Sequence, residues 1–219
     1  MSIAAAVIDG GSTDNCSLAS GSGTIADFDC SDIGINTTTL TVTDNSGNEG
    51  TCTAEVTVTD TIGPIAVCQN ITVQLDSTGN VTIDGTDVDN GSSDACGIDT
   101  LTVSPNAFNC ASSGPNNVTL TATDNHGNTG TCTAVVTVIE LTPPTAVCQD
   151  ITVQSDIAGN GNFTGGQVDN GSTDSCGVGS LAVSPSSFTC AAGSGTTTLT
   201  VTDNSGNTAT CTATVTVLD

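Results

Sequence analysis

The 219-residue sequence contains no Lys, no Arg, no Tyr and no Trp, and only one His. A chain without cations offers no surface to neutralise phosphates, so nucleic acid is excluded as a partner. Anionic membrane surfaces are disfavoured on the same ground. No run of about 18 apolar residues is present, so no membrane insertion is expected. Residues 1–7 have neither the basic start nor the long apolar run of a signal peptide. An exported protein without one reads as a segment of something longer. With one His and no Lys or Tyr, the usual general bases and activated nucleophiles cannot be assembled. The chain is therefore not expected to be an enzyme.

What it does have is acid. Twenty-three Asp and Glu give a formal charge of −23. Charge of one sign keeps a chain soluble but repels its compact state, so bound cations would help it fold. Such a composition can also mean disorder; the regular Val/Thr/Ile alternation argues against that. Four Phe are the whole aromatic content, so any core is thin and built from Val, Ile, Leu and Ala. Eleven Cys point to an oxidising, extracellular or cell-surface location, where disulfides supplement small cores. Zinc is disfavoured, because no Cys-x-x-Cys pair exists.

The strongest feature is internal repetition. Cys16, Cys96 and Cys176 recur at a period of about 80 residues, as do Cys30, Cys110 and Cys190, then Cys52, Cys132 and Cys211, then Cys68 and Cys148. The repeats span residues 1–62, 63–142 and 143–219. The second and third open with matching segments, Ala66-Val67-Cys68-Gln69 and Ala146-Val147-Cys148-Gln149. Repeat 1 has no such segment, and is read as lacking its first strand and much of its second. Runs such as 37–43 and 132–138 are rich in β-branched residues and suit half-buried strands. Clusters of Asp, Asn, Gly and Ser between them are turns. Short strands in units of about 80 residues predict an all-β chain of tandem β-sandwiches in an elongated array. No segment shows a helical period.

Each repeat ends in a shared pattern: Thr43-Asp44-Asn45-Ser46-Gly47-Asn48, then Cys52-Thr53-Ala54-Glu55-Val56-Thr57-Val58, with counterparts at 124–138 and 203–217. Together with the opening Ala-Val-Cys-Gln segment this resembles the hyalin-repeat family of immunoglobulin-like modules in extracellular adhesion proteins. Arrays so rich in Thr, Asn and Cys are similar to those in giant surface adhesins of gliding bacteria. The resemblance implies immunoglobulin-like sandwiches, cell adhesion and filament-like reach.

The short spacing within each repeat pairs Cys16 with Cys30, Cys96 with Cys110 and Cys176 with Cys190; a loop of that size contributes about 3 kcal/mol. In an immunoglobulin-like sandwich the first strand runs parallel to the last, which pairs Cys68 with Cys132 and Cys148 with Cys211 and leaves Cys52 alone. The alternative joins Cys52 to Cys68 and Cys132 to Cys148, leaving Cys211 alone.

Two acidic loops recur. One is Asp89 to Asp94, matched by Asp169 to Asp174; the other is Asp124-Asn125-His126-Gly127-Asn128, matched by Asp203 to Asn207. Both are good turn chemistry with no metal. Their oxygen donors also suit calcium. In an immunoglobulin-like sandwich both loops lie at the end where the chain enters, so the preceding tail brings Asp60 or Glu140 to them. The candidate calcium ligands are therefore Asp60, Asp89, Asp94, Asp124, Asn125 and Asn128 at one joint. At the next they are Glu140, Asp169, Asp174, Asp203, Asn204 and Asn207. His126 fills a slot held by Ser46 and Ser205, and is read as a solvent-facing turn residue. Phe28, Phe108 and Phe188, each two residues before a Cys, are expected to plug the cores. Thr61, Ser77 and Thr100 each follow an Asp and resemble a bacterial O-glycan acceptor pattern.

These features predict a structural stalk segment of a surface adhesin, its partners being neighbouring repeats of a longer chain. A second class is a calcium-dependent module that binds surface glycans directly, although sugars usually stack on Trp or Tyr. Ice binding through Thr37-Thr38-Thr39 and Thr196-Thr197-Thr198 is a weaker variant, since Thr is also simply a strand former.

Overall fold

The computed structural model describes residues 2–23 and 26–219. Repeat 1 holds β1 (Ser2–Ile3), α1 (Ala5–Ile8), β2 (Leu18–Gly23), β3 (Ala26–Asp27), β4 (Gly34–Asp44) and β5 (Glu49–Val58). Repeat 2 holds β6 (Ile71–Gln74), β7 (Asn80–Thr82), α2 (Gly85–Val88), β8 (Ile98–Ser104), β9 (Ala107–Asn109), β10 (Gly114–Asp124) and β11 (Thr129–Ile139). Repeat 3 holds β12 (Ile151–Gln154), β13 (Asn160–Asn162), α3 (Gly165–Val168), β14 (Val178–Ser184), β15 (Ser187–Thr189), β16 (Ser194–Asp203) and β17 (Thr208–Leu218). By contacts the chain divides into two compact units. One comprises Met1–Val67, Gly91–Leu101 and Thr121–Cys132; the other comprises Cys68–Asn90, Thr102–Leu120 and Thr133–Asp219.

The chain is all-β. In repeat 3 a four-stranded sheet, β12-β17-β16-β14, goes with a two-stranded sheet, β13-β15. The first strand β12 runs parallel to the last, β17, with Ile151 opposite Val215 and Val153 opposite Val217. β17 is antiparallel to β16, and β16 to β14. This connectivity is immunoglobulin-like. Strand alternation builds the core. On β16 Thr197, Leu199 and Val201 point inward while Thr198 and Thr200 are half-exposed; on β17 Ala213, Val215 and Val217 point inward. Phe163, Val168, Leu199, Val201, Ala213 and Val215 form one buried cluster. Phe188 is half-buried and stacks on Phe163, ring centroids 5.8 Å apart. Repeat 2 has the same order, β6-β11-β10-β8 with β7-β9, and β6 is parallel to β11. There Phe108 is buried.

Three single helical turns were not foreseen. In α2 the Asp84 carboxylate accepts the Thr86 N–H at 2.8 Å, and the Asp87 carboxylate accepts the Asp84 N–H at 2.8 Å. That capping box closes one turn and buries Val88. Four residues are too few to show a period in sequence.

Repeat 1 keeps only part of this plan. Its β1 pairs with β3 where β7 pairs with β9 elsewhere. Its sheet is β2-β4-β5, with no counterpart of β6 or β12 among the described residues. The consequence is visible on β5. Ala54, Val56 and Val58 are half-buried, whereas Ala134, Val136 and Val138 on β11 and Ala213, Val215 and Val217 on β17 are buried. Each apolar side chain fully removed from water contributes about 1.5–3 kcal/mol, so this strand is held more weakly.

The disulfides overturn part of the expected pairing. Cys30 is bonded to Cys96 and Cys110 to Cys176, with Cα–Cα separations of 5.2 and 5.3 Å. Cys148 is bonded to Cys211, with a Cα–Cα separation of 5.8 Å. Cys68 and Cys132 are also disulfide-bonded. Cys16, Cys52 and Cys190 are free. The expected Cys16–Cys30, Cys96–Cys110 and Cys176–Cys190 bridges do not form, and repeat 3 shows why. Cys176 precedes β14 and Cys190 follows it, so the strand lies between them. Val178 pairs with Asp203 at one end of β14, and Ser184 with Thr198 at the other. Such a strand spans roughly 20 Å, far beyond the roughly 7 Å that a disulfide tolerates between Cα atoms. Phe28 and Phe108 therefore stand two residues before a cysteine whose bridge leaves the repeat rather than closing within it, whereas Phe188 precedes the free Cys190.

Two measurements test this fold. Peptide mapping without reduction should recover Cys30–Cys96 and Cys110–Cys176 peptides and no Cys96–Cys110 peptide. In hydrogen exchange the amides of β5 should exchange faster than those of β11 and β17, because local opening there exposes less buried surface. Equal protection on the three strands would contradict the weaker packing of repeat 1.

Candidate functional site

The Asp-Asn-x-Gly-Asn hairpin between β10 and β11 is organised by its first residue. The Asp124 carboxylate accepts the N–H groups of His126 and Asn128, both at 2.8 Å, and the Asn128 side-chain amide at 2.7 Å. Gly127, at φ +86°, supplies the left-handed position that closes the turn. The hairpin between β16 and β17 repeats this. Asp203 accepts Ser205 N–H at 2.9 Å, Asn207 N–H at 2.8 Å and the Asn207 amide at 2.8 Å. Asp124 and Asp203 are only 2% and 4% exposed.

The tail of the preceding repeat reaches each hairpin. The Asn128 amide also donates to the Asp60 carbonyl at 3.3 Å. Asp60 Oδ1 accepts the Ile62 N–H at 3.0 Å. Asp60 Oδ2 is buried with no hydrogen-bond partner, and His126 Nδ1 stands 3.5 Å away. At the later hairpin Asn207 donates to the Glu140 carbonyl at 3.3 Å and to Glu140 Oε2 at 2.8 Å, while Glu140 Oε1 accepts the Thr142 N–H. The linker presses closely on β11: a Cβ at Gly130 would lie 1.9 Å from the Pro64 carbonyl oxygen, so only glycine fits.

Among the described residues, three groups of side chains converge, each with ligand atoms within 4.8 Å of one another: Asp60, Asp124 and His126; Asp60, Asp94 and Cys96; and Glu140, Asp174 and Asp203. Cys96 is consumed by its disulfide, so it offers no thiolate. The remaining donors are hard oxygens with one imidazole.

Of the residues singled out from sequence, the structure thus brings Asp60 together with Asp124 and Asn128 and, in a second group, with Asp94; separately it gathers Glu140, Asp174, Asp203 and Asn207. Asp89 and Asp169 belong to neither cluster. They form strand bridges with Cys68 and Cys148. The Asp169 carboxylate turns back onto its own loop, accepting Gly171 and Ser172 N–H at 3.2 and 3.1 Å. Asn125 and Asn204 hold the other loop instead, donating to the carbonyls of Cys96 and Cys176 at 2.9 and 2.8 Å. His126 remains exposed as a residue, but its approach to Asp60 had no sequence signal, since Ser fills that slot in the other repeats. Thr61, Ser77 and Thr100 are all exposed.

Burial pushes the Asp124 and Asp203 carboxyls up. The Asn128 or Asn207 amide and the N–H groups of each turn outweigh it, so both lie below the ordinary 3.8.

No family model matches the chain, and no curated protein does. Solved structures are similar to it at low levels. Extracellular cadherin domains 1–4 of protocadherin gamma B7 share 13% identity over 93% of this chain and 66% of that one, at a TM-score of 0.38. Protocadherin gamma C5 EC1-3 shares 14% over 86% and 79%, at 0.41. Immunoglobulin domains 1–4 of sidekick-1 share 14% over 89% and 61%, at 0.39. The chain thus spans just under two thirds of the first and third of these. Nothing further rests on likeness at this level.

The lowered carboxyls fix a pH dependence. A group whose folded pKa is depressed stabilises the fold above its unfolded value, and that contribution is lost as pH falls through the folded one. Melting curves should therefore show the hairpins' contribution in full at neutral pH and losing it below pH 3.8. Protonation also relieves the general negative charge, so the readout is the difference between the parent and Asp203→Asn. The variant should melt lower at neutral pH, and the gap should close in acid. A gap independent of pH would show that the Asp203 charge contributes nothing.

Proposed function

We propose that the chain is a structural, non-catalytic stalk segment of an extracellular cell-surface adhesin, and that calcium stiffens the joints between its repeats. The observation that carries the metal is Asp60 Oδ2, buried without a hydrogen bond, on a residue that converges with Asp124 and His126 in one group and with Asp94 in another. A buried carboxylate oxygen left without a hydrogen bond is costly, and its one near neighbour of opposite type is His126 Nδ1, 3.5 Å away. The sequence has no Lys or Arg to pair with that carboxylate. A divalent cation meets the need in a way that hydrogen bonds within the loop do not.

The donor set fits calcium. It is dominated by carboxylate oxygens, and calcium accepts six to eight oxygen ligands in flexible geometry. Asp60 with Asp124, or Asp60 with Asp94, would hold an ion at the first joint, and Glu140, Asp174 and Asp203 together at the second. When bound, calcium would supply the positive charge that lets these carboxylates stay close. The Asn128 and Asn207 amides would keep the preceding tail in register. The disulfides and their oxidising compartment support an extracellular setting. The hyalin-repeat resemblance, which rests on the Asp-Asn-x-Gly-Asn loop and the Ala-Val-Cys-Gln segment, supports adhesion and the gliding-adhesin reading. Tandem repetition without a Trp or Tyr platform favours reach over direct sugar binding.

The test is thermal unfolding with calcium and with chelator. Calcium should raise the unfolding midpoint progressively, because an ion that binds only the folded state stabilises it by mass action, about 2.7 kcal/mol at a hundredfold excess over Kd. Asp60→Asn and Glu140→Gln should each remove part of that gain. If neither calcium nor chelator shifts the curve, the joints work without a metal and the calcium proposal fails.

A further inference from the structure

We infer that the first joint is a transition-metal site, in which Asp60, Asp124 and His126 together bind a divalent ion of the zinc type, whereas the second joint offers only oxygen and does not select one. This rests on the reading that the joint carboxylates hold a cation, and it names the cation that the first joint prefers.

The donor set begins with one difference among the repeats. The third position of the Asp-Asn-x-Gly-Asn hairpin is Ser46 in repeat 1 and Ser205 in repeat 3, but His126 in repeat 2. His126 is the only imidazole in the chain. Its Nδ1 stands 3.5 Å from Asp60 Oδ2. Asp60, Asp124 and His126 each place one ligand atom within 4.8 Å of the other two. The lack of a Cys-x-x-Cys pair argues only against thiolate ligation of zinc, and these donors need none.

Clustered carboxylates are common without a metal, and Asp60 supplies a second, independent observation. Its side chain is only 8% exposed. Oδ1 is fixed by the Ile62 N–H at 3.0 Å, which leaves Oδ2 on the side of the imidazole. Oδ2 is buried and has no hydrogen-bond partner. The separation from Nδ1 is informative too. An N–H···O hydrogen bond is about 2.7–3.2 Å long, so 3.5 Å is too long for a good one. Two ligands on one tetrahedral zinc, each about 2.0–2.2 Å from the ion, stand roughly 3.4 Å apart. The pair is thus spaced like two corners of such a site.

Asp124 supplies the third corner. Its carboxylate is held by the His126 and Asn128 N–H groups and by the Asn128 amide. Hydrogen bonds of this kind are what orient a ligating carboxylate. Two carboxylates and a neutral imidazole balance a divalent charge, in a chain with no Lys or Arg. Water would complete the coordination, as in other zinc sites with three protein ligands.

The imidazole decides the class of ion. Nitrogen suits zinc, copper and nickel, whereas calcium and magnesium take oxygen. At the second joint the group is Glu140, Asp174 and Asp203, all carboxylates. Both Glu140 oxygens there already accept, one from the Thr142 N–H and one from the Asn207 amide. That joint keeps the calcium preference. Without a transition ion, the oxygens of the first joint remain open to calcium.

The test uses the full chain carrying Cys16→Ser, Cys52→Ser and Cys190→Ser, because those thiols are free and thiolates bind zinc. Titration calorimetry with zinc chloride should show one tight site per chain above weak binding at exposed carboxylates. His126→Ser should lower the affinity of that site by more than the roughly 10–100-fold that losing an outer-shell partner costs. The variant should fold normally, since Ser is what the other repeats carry at that position. Asp60→Asn should also weaken the site, and Glu140→Gln should leave it intact. The single His gives the only imidazole signals in a nitrogen NMR spectrum of the unmutated site. Stoichiometric zinc should move its Nδ1 resonance, and calcium should not move it comparably. Imidazole nitrogens unmoved by zinc, or a tight site that survives His126→Ser, would overturn the inference. Either result leaves the calcium reading standing if calcium still raises the melting midpoint. A zinc site at His126 in a chain that calcium does not stabilise would uphold the inference and sink the calcium reading alone.

Discussion

The constraint on which everything else depends is the absence of a fixed cation. With 23 acidic side chains and no Lys or Arg, an ion pair with a basic side chain is available only through His126. Carboxylates must instead be satisfied by N–H groups. The chain does this locally and repeatedly: Asp76, Asp124, Asp156 and Asp203 each accept backbone N–H groups from residues two and four positions ahead. A carboxylate held this way fixes its turn, so the acids are structural elements of the hairpins and not merely solubilising charge. The solution fails where two segments converge, because a carboxylate arriving from elsewhere finds the local donors taken. Asp60 is that case, and its Oδ2 is left without a hydrogen bond. Glu140 differs, because the Thr142 N–H and the Asn207 amide both reach it.

A second consequence follows from thin cores. Repeat 3 buries a six-residue cluster with two Phe in contact, which is little for a sandwich of this size. Disulfides then do two separate jobs. The Cys148–Cys211 bridge fastens the strand segment ahead of β12 to β17, inside one sandwich. The Cys30–Cys96 and Cys110–Cys176 bridges fasten one repeat to the next. Repeat 1 shows what the first job and the parallel strand contribute together. Among its described residues it has no counterpart of β12, its Cys52 is free, and the inward side chains of β5 are only half-buried.

Much of this was legible in the sequence. Val/Thr alternation located strands such as β16 and β17, because it depends on near-neighbour chemistry. Glu140 could be placed near Asp203 once the sandwich was assumed, since the tail and the hairpin share an end. The pairing of Cys110 was not legible. Its nearest cysteine in sequence is Cys96, and only the length of the strand between such positions shows that nearness along the chain is distance in space. Asp169 looked equivalent to Asp174, five residues on, but whether its carboxylate faces the joint or its own Ser172 is a rotamer choice that composition does not encode. The helical turn at Gly85–Val88 is likewise written in two Asp residues three apart, a capping signal too brief to register as a period.

The two kinds of joint are mechanically coupled through one loop. Asp174 lies two residues before Cys176, and its carboxylate accepts the Cys176 N–H at 2.7 Å; Asp94 and Cys96 are related in the same way. The bridge from Cys110 therefore anchors the loop that carries Asp174 toward Glu140 and Asp203. Three carboxylates converging there repel one another, and the repulsion is strong where Asp203 and Glu140 are buried, because the local dielectric is low. Left alone, that repulsion would push the loop outward and load the disulfide. The covalent bond resists it by limiting how far the loop can move. A cation would remove its cause. The same geometry thus assigns different tasks to the two: the disulfide sets which residues meet, and the charge balance at the carboxylates sets how rigidly they stay together.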